Sequence, residues 1–158
     1  MKLARTGVIA AAVLSIATVA FAQKPDFSGT WTMDPASAPA PPAGGGPVRG
    51  VPGPMVVTQT ADTLTVERVA GESKVVSSYK LNGTESINKR TMGQMGEVEF
   101  KSKAKFDGAK LTITTLQPNR EGGAPIELTE TWSLDGGNLV IESTNPRGTQ
   151  KRIYKKTT

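Results

Sequence analysis

"EVEFKSKAKFDGAKLTITTLQ", residues 97–117, decides the fold. In its first half Val98, Phe100, Ala104 and Phe106 alternate with Glu99, Lys101, Lys103 and Lys105. A period of two is the mark of a strand with one buried face and one wet face. Asp107-Gly108 supplies the residues of a tight turn, and "KLTITTLQ" (110–117) resumes the alternation in the other direction. One hairpin of this kind cannot hide its apolar face alone, so the neighbouring sequence must extend the sheet.

The rest of the chain does so. "DFSGTWTM" (26–33) puts Phe27, Gly29, Trp31 and Met33 on one side. "MVVTQT" (55–60) and "TLTVERV" (63–69) flank a two-residue turn. "KVVSSYKL" (74–81) and "TESINKRTM" (84–92) are joined by Asn82-Gly83, which predicts a second tight hairpin. "PIELTETWSL" (125–134) and "NLVIEST" (138–144) flank Asp135-Gly136-Gly137, and "TQKRIYKK" (149–156) is the last strand. No helical stripe follows the first two dozen residues. The expectation is an all-β, antiparallel up-and-down meander of nine or ten strands. Closing it into a barrel hides one face and removes the sheet edges. An outer-membrane barrel would need apolar outward positions; the alternates here are Lys101, Lys103 and Lys105, or Glu127, Thr129 and Thr131, so the expected barrel faces water.

Two segments stand outside this pattern. Lys2 and Arg5 precede an apolar run from Val8 to Ala20, and Ala20-Phe21-Ala22 offers small residues at the positions a signal peptidase reads. Residues 1–22 therefore read as a signal peptide cleaved before Gln23. The run is short for a bilayer span, no second one follows, and the absence of cysteine excludes a lipid anchor. The expected location is the periplasm or the outside of a bacterial cell. The second segment, "PASAPAPPAGGGPVRGVPGP" (35–54), holds seven of the 11 prolines and reads as an extended surface loop in a single domain spanning 23–158.

Composition narrows the chemistry. Taking Lys2 and Arg5 from the 19 basic residues leaves 17 against 14 acidic ones, a formal charge of +3. That is too little, and too scattered, for a nucleic-acid surface. No histidine means no imidazole base and no Ser-His-Asp triad; no cysteine means no thiol nucleophile and no zinc–thiolate site. Neither a cofactor nor a metal is expected. Catalysis would have to rest on carboxylates, lysine or tyrosine, and no motif displays it.

The two ends of the chain carry a resemblance. Phe27-Ser28-Gly29-Thr30-Trp31 on the first strand, with Arg152-Ile153-Tyr154-Lys155 on the last, resembles the calycin superfamily of lipocalins and fatty-acid-binding proteins. Of these the fatty-acid-binding group is the closer, and "DGGNLVIES" (135–143) looks like its penultimate hairpin. The resemblance implies that Gly29 and Trp31 are an architectural signature, the indole plugging one barrel end beneath a basic residue of the last strand. It implies that Arg152 and Tyr154 point inward and hold a ligand carboxylate, a fork and a neutral donor respectively. Two departures are visible: the family's second inward arginine falls at Trp132, and the Pro/Gly loop stands where the family has two lid helices.

Other polar residues have two readings each. Glu130 shares a face with Leu128, Trp132 and Leu134, and is either a ligand contact or the ion-pair partner of Arg152 across one strand; buried charges usually being partnered, the ion pair is the preferred reading. Tyr79 lines up with Val75, Ser77 and Leu81 as a core aromatic. The lysines at 101, 103 and 105, and Asn88-Lys89-Arg90, read as solvated faces. The expected function is an exported binding module for a small hydrophobic or amphipathic molecule, acidic ones included, with Arg152, Tyr154, Trp132 and Glu130 lining its site. The alternative is a structural or interaction barrel filled by its own side chains.

Overall fold

The computed structural model describes residues 24–38, 53–70, 73–93, 96–119 and 122–157. The expected signal peptide (1–22), the expected cleavage site before Gln23 and residues 39–52 of the Pro/Gly segment lie outside them. Ten strands follow in chain order: β1 (Gly29–Met33), β2 (Met55–Gln59), β3 (Thr63–Ala70), β4 (Ser73–Lys80), β5 (Asn82–Thr91), β6 (Glu97–Asp107), β7 (Lys110–Gln117), β8 (Ile126–Asp135), β9 (Asn138–Asn145) and β10 (Gly148–Thr157). They form one antiparallel sheet in the order β4-β3-β2-β1-β10-β9-β8-β7-β6-β5. The first strand pairs with the last, Trp31 opposite Lys156, so the meander curls back on itself. The all-β, nearly closed barrel expected from the alternation is the fold observed.

Alternation sets the inside and the outside. Along β6, Val98, Phe100, Ser102 and Ala104 are buried while Glu99, Lys101, Lys103 and Lys105 are exposed. The Asp107-Gly108 turn forms as read, with Gly108 at φ 57°. The outward residues of β6 are polar, and no helix among the described residues is long and apolar enough to cross a membrane.

Asn82-Gly83 does not make the expected tight hairpin. Gly83 has φ 81°, but it lies within β5, at a register break between Asn82 and Glu85. β4 and β5 form the two ends of the strand order and share no ladder of backbone hydrogen bonds. Side chains bridge the seam instead. Asn88 accepts from the backbone N–H of Ser78 through Oδ1 (2.7 Å) and donates to the Ser78 carbonyl through Nδ2 (3.1 Å). The Lys80 N–H donates to Ser86 Oγ (2.8 Å). Asn88 thus offers the edge of β4 the donor and acceptor that a neighbouring strand would have supplied. It is 8% exposed, so the reading of Asn88 as part of a solvated face is corrected. Ile87, one residue earlier, takes the outward position at 53% exposure.

One barrel end is plugged by the segment entering β1. Gln59 holds it, accepting from the Phe27 N–H (3.0 Å) and donating to the Pro25 carbonyl (2.9 Å). Phe27, wholly buried, stacks on Phe106 at 6.2 Å and meets Trp132 edge-on at 5.9 Å. Its carbonyl accepts from Trp31 Nε1 (2.9 Å).

Replacing Asn88 by alanine strands both backbone groups of Ser78 at a half-buried edge. The expected cost is about 1–3 kcal/mol, seen as a lower urea midpoint together with faster amide exchange at Ser78. An unchanged midpoint would show that the seam contributes nothing to closure.

Candidate functional site

The interior is the candidate site, and its residues come from the inward positions of the strands. Around the 24–28 segment these are apolar: Phe27, Trp31, Leu64, Leu111, Trp132 and Leu139 are all 1% exposed or less. Farther from it the inward positions become polar. Arg68 stands on β3 beyond Leu64 and Val66, Arg90 on β5 beyond Asn88, Glu130 on β8, Ser143 on β9, and Gln150 and Arg152 on β10. Among the described residues, three arginines and one glutamate therefore have inward positions in this half.

Trp31 is 1% exposed, and the Lys156 ammonium lies 5.5 Å from its ring centre. Gly29 makes room for that lysine. A Cβ on Gly29 would come within 2.5 Å of Lys156 Cε, and the residue has φ 140°, which L side chains rarely adopt. The lysine stem crosses where a side chain would stand, and its charge reaches the indole face.

Arg152 and Tyr154 share the inward parity of β10, opposite Ile141 and Leu139, while Lys151 and Lys155 are exposed. The two side chains have different surroundings. Tyr154 is 4% exposed and belongs to the apolar cluster, flanked by Met33 and Leu139. Arg152 is half-buried and donates through Nη2 to Gln150 Oε1 (3.1 Å), an exposed contact. It forms no ion pair with Glu130, so that expectation is corrected. Ser143 Oγ and Trp132 Nε1 both donate to the Glu130 carboxylate at 3.4 Å. Glu130 and Ser143 face each other directly across β8 and β9, which hands the carboxylate a neutral donor before any arginine reaches it.

The Arg152 hydrogen bond runs to Gln150 on the same strand and ties β10 to no other strand, so holding the last strand is left to others. That role falls to its outward neighbours. The Ile153 N–H donates to Ser37 Oγ (2.9 Å), and the Ile153 carbonyl accepts from the Asp34 N–H (2.8 Å). Lys155 pairs with Asp34 at 2.9 Å. Asp34 also caps the 3-10 turn Pro35–Ser37 through the Ala36 N–H, and the Lys155 contact, aided by that cap, holds its carboxyl below the usual value. The first residues of the Pro/Gly segment are thereby tied to β10.

Sequence reasoning missed the more enclosed cations. Arg90 donates through Nη2 to Ser77 Oγ across the seam (2.8 Å) and lies 4.9 Å from the Phe100 ring centre. Arg68 donates through Nε to Met55 Sδ (3.3 Å). Among the described residues none of the three inward arginines is ion-paired. The signal was present as parity: Arg68 is two positions from Val66, and Arg90 two from Asn88. It was hidden because β5 reverses the usual pattern, its apolar Ile87 pointing out and its polar residues in.

Tyr79 connects these groups. Burial pushes its phenol above the ordinary value, and the Glu130 carboxylate pushes further. The Ser77 hydroxyl beside it, and the charges of Arg68 and Arg90, pull the other way. β4 and β8 are far apart in the strand order, so Glu130 acts on Tyr79 across the interior. The cluster can hold an acidic oxygen by charge and neutral donors together. Among the described residues no group of three or more histidine, cysteine, aspartate or glutamate side chains could hold a metal. An open groove of about 470 Å³ on the outer face, lined by Lys103, Lys105, Asp107 and Thr112 among others, belongs to the wet side of the sheet.

No family model and no curated protein matches the sequence. Solved structures do resemble the fold. A fatty acid transporter named REP1-NXSQ aligns with TM-score 0.58 and 16% identity over 83% of this chain and 96% of its own. Secretory abundant heat soluble protein 4 from Ramazzottius varieornatus aligns with TM-score 0.57 and 23% identity over 83% and 94%. A single-residue variant of the fluorescent protein UnaG aligns with TM-score 0.57 and 22% identity over 84% and 96%. The chain has a calycin-type barrel fold, with the glycine–tryptophan first strand and meander that the resemblance implied.

The raised Tyr79 value has a consequence for stability. A phenol whose folded value lies above its unfolded 10.0 contributes stability that is fully present below pH 10.0. That contribution is lost as pH rises through the folded value, because the folded state resists ionisation. Melting temperature should therefore fall above pH 10, and Tyr79→Phe should fall less steeply. Parallel curves for the two proteins would show that another group controls alkaline unfolding.

Proposed function

We propose that the protein is an exported binding module that holds a small amphipathic molecule with an acidic group inside its barrel. One observation carries this reading: Arg68 and Arg90, inward beyond an apolar end, have no ion-pair partner among the described residues. Uncompensated inward charge is costly in a chain that binds nothing, since a buried cation is normally partnered. An amphiphile would answer both halves, its tail meeting the apolar end and its acid the guanidinium groups. The fatty acid transporter among the structural neighbours supports the class of ligand.

Binding without turnover fits the residues present. Glu130, an inward carboxylate, accepts hydrogen bonds from Trp132 and Ser143, a fixed polar contact rather than a recognisable catalytic motif. Trp132 serves as a wall, and Tyr154 as part of the apolar surface the tail would touch. Gly29 and Trp31 maintain the barrel end. The packing of 16 buried residues into one apolar cluster favours the second reading, a self-filled structural barrel. Titration separates the two. Dodecanoate should quench tryptophan fluorescence saturably, since Trp132 lies where apolar and polar positions meet. A protein that neither responds to dodecanoate nor co-purifies with lipid from its own host is the self-filled barrel.

Export rests on residues 1–22 as a signal peptide, with the periplasm or the cell exterior as destination. Amino-terminal sequencing of protein recovered from its host should begin at Gln23. A start at Met1 in the cytoplasmic fraction would sink this part of the proposal.

A further inference from the structure

We propose that the acidic group of the ligand is held at the β4–β5 seam, by Arg90 with Arg68, Ser77 and Tyr79, and not by Arg152 and Tyr154. The assignment rests on the reading of the barrel as an amphiphile-binding module and fixes which end of the ligand lies where.

Arg90 is the most enclosed of the inward cations by its contacts. Phe100 covers one face of its guanidinium, and Ser77 Oγ takes one N–H at 2.8 Å. Its Nε–H is buried and meets no acceptor, the one such side-chain atom among the described residues. A buried donor without a partner costs about 1–3 kcal/mol, and a charged one more. A carboxylate oxygen placed there would accept from Nε, and a guanidinium accepts such an ion in a fork. Ser77 strengthens the site. Its oxygen accepts from Arg90 while its hydroxyl bonds the Tyr79 phenol, so the two hydroxyls stand together beside the guanidinium. Tyr79 stays protonated at neutral pH and supplies a second neutral donor. Arg68 adds a second charge: its Nε faces only the sulfur of Met55, a weak acceptor, and its field reaches the same phenol as that of Arg90.

Arg152 lacks these properties. It is met by Gln150 in an exposed contact, and Tyr154 is turned among apolar neighbours. Water competes for a carboxylate at such a place, and little affinity results.

The test is a titration of the purified protein with dodecanoate and with dodecanol at neutral pH, for the wild type, Arg90→Gln, Arg152→Gln and Ser77→Ala. The wild type should prefer the acid to the alcohol. Arg90→Gln should weaken dodecanoate by about tenfold or more and leave dodecanol unchanged, while Arg152→Gln should alter neither. Ser77→Ala should reduce the preference for the acid in the same direction, and it carries the test if Arg90→Gln does not fold. A purely structural role for Arg90 would weaken acid and alcohol alike, which overturns the assignment. Loss of acid preference in Arg152→Gln alone overturns it too, and moves the head group to β10. A wild type that binds neither probe overturns the amphiphile reading itself, and this assignment with it.

Discussion

A curled sheet has two edges, and in this barrel they meet without a backbone ladder. β4 and β5 follow each other in the chain but share no backbone ladder, so the edge of β4 presents the N–H and C=O of Ser78 and the N–H of Lys80 to the gap. Unpaired edges invite pairing with other chains, and buried ones cost free energy. Asn88 and Ser86 resolve both problems by lending side-chain amide and hydroxyl groups to the edge of β4. That solution requires β5 to turn its polar residues inward and Ile87 outward. Once β5 is reversed in this way, Arg90 must also face in. The closure of the barrel and the charge of its interior are thus one decision, taken by a single strand.

The opposite side of the barrel is governed by bulk. Trp31, Trp132 and Phe27 fill the end through which β1 enters, and Gly29 lets Lys156 cross to the indole. The apolar and the charged regions touch at Trp132, whose ring is buried against Phe27 and whose Nε1 reaches Glu130. One residue therefore belongs to the core and to the polar cluster at once.

The fold was legible because nearly every strand obeys a period of two and most turns carry glycine. Strand positions agree with the alternation to within a few residues, and the pairing of first and last strands follows from closure. Asn82-Gly83 misled, because a dipeptide reports the local φ it permits and not whether the flanking strands stay together. The site was less legible. The pairing of Glu130 with Arg152 across one strand was expected because buried charges are usually partnered, whereas the register sets Ser143 directly opposite Glu130 and Ile141 opposite Arg152. Arg90 was assigned to a solvated face because charged residues usually are solvated. Only the partners across a seam, which no local pattern encodes, reveal otherwise.

The pairing of β1 with β10 bears on when the barrel can form. Thr32 and Thr157 exchange a hydrogen bond across 125 positions of sequence, and Ser37 reaches Ile153 across 116. Neither contact can exist until the final residues have left the ribosome. Up to that moment Trp31 has neither Lys156 above it nor β10 beside it, and the nascent chain is an open ribbon with one apolar side. Contacts so distant in sequence make closure slow relative to folds built on local contacts. A chaperone that holds extended apolar segments would have its whole substrate on display for the duration of translation, and the last ten residues act as the latch that withdraws it.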